Sequence, residues 1–138
     1  MNEKTQYVAA NSRSTAWSRC DGVLRFRFMS THVYKILRAS EPSTGIYPGS
    51  PLDQRDGFVH LSSCSTLQRT VELYFENDEE VLVLGFVTEA LGPKLLWEKS
   101  RDDLLFPHLH AVLSLDDAVI RKHVKRVDGK WPTIELPV

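Results

Sequence analysis

The sequence predicts an α+β domain with a largely antiparallel or mixed β-sheet. Strand-like runs outnumber helical ones, and only one amphipathic helix is well marked. The length of 138 residues fits one domain.

The elements follow in order. His32-Val33-Tyr34-Lys35-Ile36-Leu37-Arg38 is rich in β-formers and roughly alternates, as a strand does. Residues 40–57 hold Pro42, Gly45, Pro48, Gly49, Pro51 and Gly57, which predicts a long loop of the kind that carries function. Phe58-Val59-His60-Leu61 is a second strand, with Phe58 and His60 on one face and Val59 and Leu61 on the other. Ser65-Thr66-Leu67-Gln68 has the form of a capping box. Leu67, Val71, Tyr74 and Phe75 then follow at helical spacing, and the acidic run Asn77 to Glu80 ends the helix. Val81 to Val87 is almost wholly apolar and predicts a central strand buried on both faces. After the turn at Gly92-Pro93, Lys94 to Glu98 is a further strand. Ser100 to Leu105 is a polar loop closed by Phe106-Pro107, and Leu109 to Leu113 is the next strand. Ala118 to Val127 fits either period, and its β-branched content decides for a strand.

Composition excludes several classes. Balanced charge, with 17 basic and 18 acidic residues, gives no electrostatic footprint for nucleic acid or an anionic membrane. No apolar run approaches the roughly 20 residues that span a bilayer. Cys20 and Cys64 do not make a disulfide framework or a Cys-x-x-Cys pair, so the expected setting is reducing and cytoplasmic. Residues 1–31 read as a disordered extension: before Met29 they carry Lys4, Arg13, Arg19, Arg25 and Arg27 against Glu3 and Asp21. That mix is weakly like a mitochondrial transit peptide, which is the lesser alternative. The domain is placed at residues 32–127 and a C-terminal tail at 128–138.

The familiar phosphate-loop, nucleophile-elbow and His-Glu-x-x-His motifs are absent. The candidate chemistry is a set of polar residues on otherwise apolar strands. His60 and Ser62 share a strand face, where an imidazole and a hydroxyl can bond a polyhydroxy ligand such as a ribose. The ordinary alternative is a satisfied core histidine beside a helix-capping serine. Glu98 places a carboxylate at a strand end, fit for a general base or for orienting a sugar hydroxyl. Arg101 can clamp a phosphate or simply face solvent. His108 and His110 alternate, so with His60 or Glu98 they offer ligands to a metal, but no spacing fixes a third ligand and no metal is expected.

Several stretches together resemble the family of proteins known as domain of unknown function 952. They are Val33-Tyr34-Lys35-Ile36-Leu37, Gly49-Ser50-Pro51-Leu52-Asp53, Asp56-Gly57-Phe58-Val59-His60-Leu61-Ser62, Val81-Leu82-Val83-Leu84, Leu96-Trp97-Glu98 and Leu105-Phe106-Pro107-His108-Leu109. They occur in the family's order over roughly residues 32–127. The family usually reads Tyr-Gly where this chain has His110-Ala111. It looks like a distant relative of the ADP-ribosyltransferase fold, a small split β-sheet holding NAD in a cleft. There a histidine followed two positions later by Ser or Thr bonds a ribose hydroxyl, and His60-Leu61-Ser62 looks like that element. The usual intervening glycine, which lets the backbone reach the nicotinamide amide, is Leu61 here.

The resemblance implies a domain that binds NAD or an ADP-ribose-like ligand, with His60, Glu98 and His108 as the catalytic set and His60, Ser62 and Arg101 as the ligand-binding set. NAD would be a substrate and no cofactor would be tightly held. The partner would be a nucleotide-like small molecule. A non-catalytic nucleotide-binding module is the first rival, and a His-based metal enzyme using His60, His108 and His110 the second.

Overall fold

The computed structural model describes residues 31–136, and over them the chain is α+β. The strands are β1 (His32–Arg38), β2 (Val59–His60), β3 (Glu80–Val87), β4 (Leu95–Lys99), β5 (Leu105–Leu109) and β6 (Ile120–Lys125). The helices are α1 (Pro51–Asp56) and α2 (Cys64–Tyr74). Short 3₁₀ turns fall at Thr88–Leu91, Arg101–Asp103 and Leu115–Asp117. Expectations for residues 1–30, including the extension, the transit peptide and Cys20, lie outside the described residues.

The strands form two antiparallel sheets of three, ordered β1-β3-β6 and β2-β5-β4. They meet just beyond β2, where Tyr34 and Ser62 exchange both backbone hydrogen bonds at 2.8 Å. The apolar run of β3 is what a central strand needs. Leu82, Leu84 and Phe86 face one cluster with Val33 and Leu37 of β1 and Val59, Leu61 and Leu109 of the second sheet. Val81 and Val83 face the other, with Tyr34, Ile36, Ile120 and Val124 and with Leu67 and Val71 of α2. The molecule is thus layered as second sheet, first sheet, helix, with an apolar cluster on each side of β3. Each side chain buried this fully contributes about 1.5–3 kcal/mol.

Gly85 of β3 lies opposite Tyr34 and Ile120 in the register. A Cβ there would stand 2.9 Å from Tyr34 Cε1 and 2.9 Å from Ile120 Cβ, so the glycine makes room for the Tyr34 ring between strands.

The structure corrects the sequence reading at four places. The supposed loop 40–57 contains α1, begun by an N-cap Ser50, Pro51 in the first turn and a capping box with Asp53, and ended by Gly57 at φ 83°. In α2 the cap is Ser63, not Ser65: the Ser63 N–H donates to Thr66 Oγ1 at 3.0 Å. Phe106-Pro107 does not close a loop but lies inside β5, and the strand expected at 109–113 ends at Leu109. The segment from 128, read as a tail, packs on α2: Ile134 and Leu136 are buried, and the Ile134 N–H donates to Gln68 Oε1 at 2.9 Å.

Pro107 sits in the central strand of its sheet, where proline is rare. The Leu61 N–H donates to the Pro107 carbonyl at 3.1 Å, but proline has no N–H to return. The β2–β5 ladder stops there, and the chain crosses at Ser62 to pair with β1.

Candidate functional site

The alternation read from the sequence holds at β2. Val59 and Leu61 enter the core, and Phe58 and His60 face outward together, ring centroids 4.6 Å apart. His60 pairs in register with His108 of β5, and the two rings meet edge-on at 5.3 Å. The Phe58 ring also lies 4.3 Å from His108 and 4.8 Å from His110. Three imidazoles therefore surround one phenyl ring on the outer face of the second sheet.

Carboxylates fix the rings. Glu98 Oε1 accepts from His108 Nδ1 at 2.7 Å and from His110 Nε2 at 3.1 Å. Asp53 Oδ1 accepts from His60 Nδ1 at 2.6 Å and from the His60 backbone N–H at 2.9 Å. The other Asp53 oxygen accepts from Lys35 Nζ at 3.1 Å and the Ser50 N–H at 3.0 Å. Lys35 also donates to the His60 carbonyl at 3.1 Å. Asp53 and Lys35 are both buried, at 4% and 7% exposure, so this is an internal, hydrogen-bonded ion pair bracing one histidine. On its far side His60 Nε2 lies 3.0 Å from Asp56 Oδ2, at the exposed end of α1. Both ring nitrogens of His60 face carboxylate oxygens, so both donate when both bonds are made.

The electrostatics follow from these contacts. Burial alone would raise the Asp53 carboxyl, but the His60 ring, Lys35 and two backbone amides outweigh it and hold it well below the usual carboxylate range. Hydrogen bonds from His110 and His108 lower Glu98. Burial lowers His108, reinforced by its histidine neighbours and opposed by Glu98, so at neutral pH it is uncharged with Nε2 as an acceptor. The cluster is open to solvent along one edge: the His110 and Glu98 side chains are 34% and 39% exposed, and His60 is 25% exposed.

Of the residues singled out from the sequence, His60, Glu98 and His108 come together, and His110 joins them. Ser62 does not: it is buried, its backbone is committed to Tyr34, and no side-chain hydrogen bond ties it to the cluster among the described residues. Arg101 packs one step along β5, its Cζ 5.0 Å from the Phe106 ring centre. Sequence reasoning missed Lys35, Asp53 and Phe58. Lys35 carried a signal, being a lone charge amid Val33, Tyr34, Ile36 and Leu37, which demands a buried partner. Among the described residues no group of three or more His, Cys, Asp or Glu is arranged to hold a metal ion. No described helix is long and apolar enough to cross a membrane.

The family model described as "Protein of unknown function (DUF952)" matches residues 31–121. Among solved structures, the crystal structure of protein CC0527 from Caulobacter crescentus is 33% identical, with a TM-score of 0.68 over 74% of this chain and 94% of that one. The solution NMR structure of CC0527 is 32% identical, with a TM-score of 0.64 over 74% of this chain and 91% of that one. No curated protein matches the chain.

Proposed function

The chain belongs to the DUF952 family, and on that premise we propose that it binds NAD or an ADP-ribose-like nucleotide at the His60–Glu98–His108 cluster and acts there as a glycosyl (ADP-ribosyl) transferase. The observation that carries the reading is the bracing of His60. A partly exposed imidazole held from behind by a buried carboxylate, itself held by a buried lysine, is oriented toward solvent, not merely accommodated. Asp56 is the more exposed of the two carboxylate partners, and its bond to Nε2 is the one a ligand hydroxyl can replace. Two antiparallel sheets meeting at one exchange also support a split-sheet relative of ADP-ribosyltransferases, although fold alone does not decide activity.

In this reading His60 bonds a hydroxyl of the nicotinamide ribose. As the nicotinamide–ribose bond breaks, positive charge develops at the sugar, and the Glu98 carboxylate steadies it. His108 Nε2 takes the proton of the attacking acceptor hydroxyl while Nδ1 stays bonded to Glu98. The electron pair of the broken bond leaves with nicotinamide.

A non-catalytic nucleotide-binding module is the second reading, and Leu61 favours it. The Leu61 N–H goes to Pro107, and both Ser62 backbone groups go to Tyr34. Those groups are not free to bond a nicotinamide amide.

The test is thermal unfolding of wild type and His60→Ala, each with and without millimolar NAD or ADP-ribose. Ligand at a hundredfold excess over its Kd stabilises wild type by about 2.7 kcal/mol and the variant hardly at all. No shift in wild type with either nucleotide, beside a strongly destabilised variant, makes His60 structural and removes the proposal. Stabilisation by NAD without nicotinamide release, measured by chromatography, selects the binding module.

A further inference from the structure

Arg101 differs from the other arginines whose contacts are described. Arg38 pairs with Asp78, Arg126 donates to backbone carbonyls of Phe75, Glu76, Asp78 and Gly129, and Arg121 donates to those of Ser43 and Leu115. Arg55 pairs with Asp56, and Arg69 lies near Glu72 on an exposed helix face. The Arg101 side chain is only 16% exposed, yet among the described residues its one side-chain hydrogen bond is from Nη1 to the Thr70 hydroxyl at 3.2 Å. Its Nε is buried and has no hydrogen-bond partner among the described residues. Asp102 Oδ2 stands 3.7 Å from Nε, beyond hydrogen-bond distance, on a side chain 72% exposed.

The guanidinium lies between two rings, Phe106 at 5.0 Å and Tyr74 at 5.7 Å from Cζ. Its backbone is held by a tight turn in which Ser100 N–H donates to the Leu104 carbonyl at 2.9 Å. Asp102 and Asp103 in that turn both take left-handed φ, 58° and 60°. Consecutive non-glycine residues there store strain of the kind found around ligand sites. A buried cation whose neighbouring carboxylate stands 3.7 Å away on an exposed side chain is only partly compensated, and a planar fork with an unsatisfied N–H, set between aromatic faces, matches a phosphoryl group.

Phe106 and His108 share a face of β5, spaced about 7 Å as alternate strand residues are. Phe106 is also the register partner of Glu98. Arg101 thus sits one step along the sheet from the imidazole–carboxylate cluster, about the separation of a ribose from the phosphate it carries. We propose that Arg101, with Thr70, binds the diphosphate of the nucleotide whose sugar is held at His60, Glu98 and His108. This rests on the nucleotide reading of that cluster.

The test is isothermal titration calorimetry of the full chain with inorganic pyrophosphate and with ADP-ribose, on wild type, Arg101→Gln, Arg101→Lys and His60→Ala. Arg101→Lys keeps the charge and the apolar stem but loses the fork, so it serves if Arg101→Gln misfolds. Pyrophosphate is expected to bind wild type and His60→Ala alike and to bind both Arg101 variants at least tenfold more weakly. ADP-ribose is expected to weaken in all three variants. If ADP-ribose binds wild type and Arg101→Lys equally, the diphosphate site is overturned and the nucleotide reading stands. If pyrophosphate binds in an Arg101-dependent way while ADP-ribose binds no tighter, the nucleotide reading is overturned and the anion site stands. Binding of neither to wild type overturns both.

Discussion

Replacing Asp53 by Asn is the sharpest probe of how the cluster is held. The carboxylate is 4% exposed and accepts four hydrogen bonds: from Lys35 Nζ, the Ser50 and His60 amides, and the His60 ring. An asparagine amide keeps one accepting oxygen and turns an NH₂ toward two of those donors. Lys35, at 7% exposure, loses its counter-ion. Removing one partner of a buried ion pair costs about 3–5 kcal/mol. For a domain of this size that lowers Tm by roughly 4 °C per kcal/mol, or about 12–20 °C in all. The assay is urea unfolding followed by far-UV circular dichroism at pH 7, read as a fall in midpoint at constant slope. The pH dependence gives a second reading. The folded Asp53 pKa lies below its unfolded value, so its contribution is present above the unfolded carboxylate pKa of about 3.9 and is lost as pH falls toward the folded one. The variant loses that part of the acid sensitivity. A cost under 1 kcal/mol, or an unchanged acid limb, would refute the view that Asp53 organises the site.

Two further outcomes follow from the packing and the charges. Gly85→Ala forces a methyl against Tyr34 and Ile120 at 2.9 Å and should destabilise by about 1–3 kcal/mol in the same denaturation assay, with nucleotide binding retained if the fold is kept. The folded His108 pKa lies below its unfolded value near 6.5, so its unfolded form takes up a proton first and stability drops as pH falls from about 6.5. Replacing His108 by Asn should flatten the curve over that interval, and an unaltered curve would show that folding does not shift the His108 proton affinity.

Much of the architecture was legible because local chemistry and tertiary role agreed. The limits of β1 follow from its alternating β-formers, and the apolar run of β3 announced a strand covered on both faces. Loss of agreement explains the misses. Gly49, Pro51 and Gly57 read as loop residues, but Ser50, Pro51 and Asp53 are also a helix start, and only the burial of Asp53 shows which meaning applies. Pro107 reads as a breaker because its missing N–H normally excludes a central strand. Here that absence coincides with the place where the neighbouring strand departs. At the site, His60, Glu98 and His108 stood out as polar groups on apolar strands. Lys35 and Asp53 did not, since each is explained only by the other, 18 residues away in sequence. Arg101 stood out for its chemistry, but its aromatic surroundings come from α2 and β5 and could not be read locally.

The proline in β5 also routes the chain. In an antiparallel ladder each residue invites the next to pair, and nothing in the hydrogen-bonding of an ordinary amide tells a strand when to leave. A single ring at position 107 withdraws the invitation opposite Leu61. The following residue is then released to the other sheet, and His60 becomes the last residue of β2, two before the crossing. The imidazole that anchors the cluster thus stands at the fork between two sheets. Its location is set by a covalent feature of a different strand, 47 residues downstream.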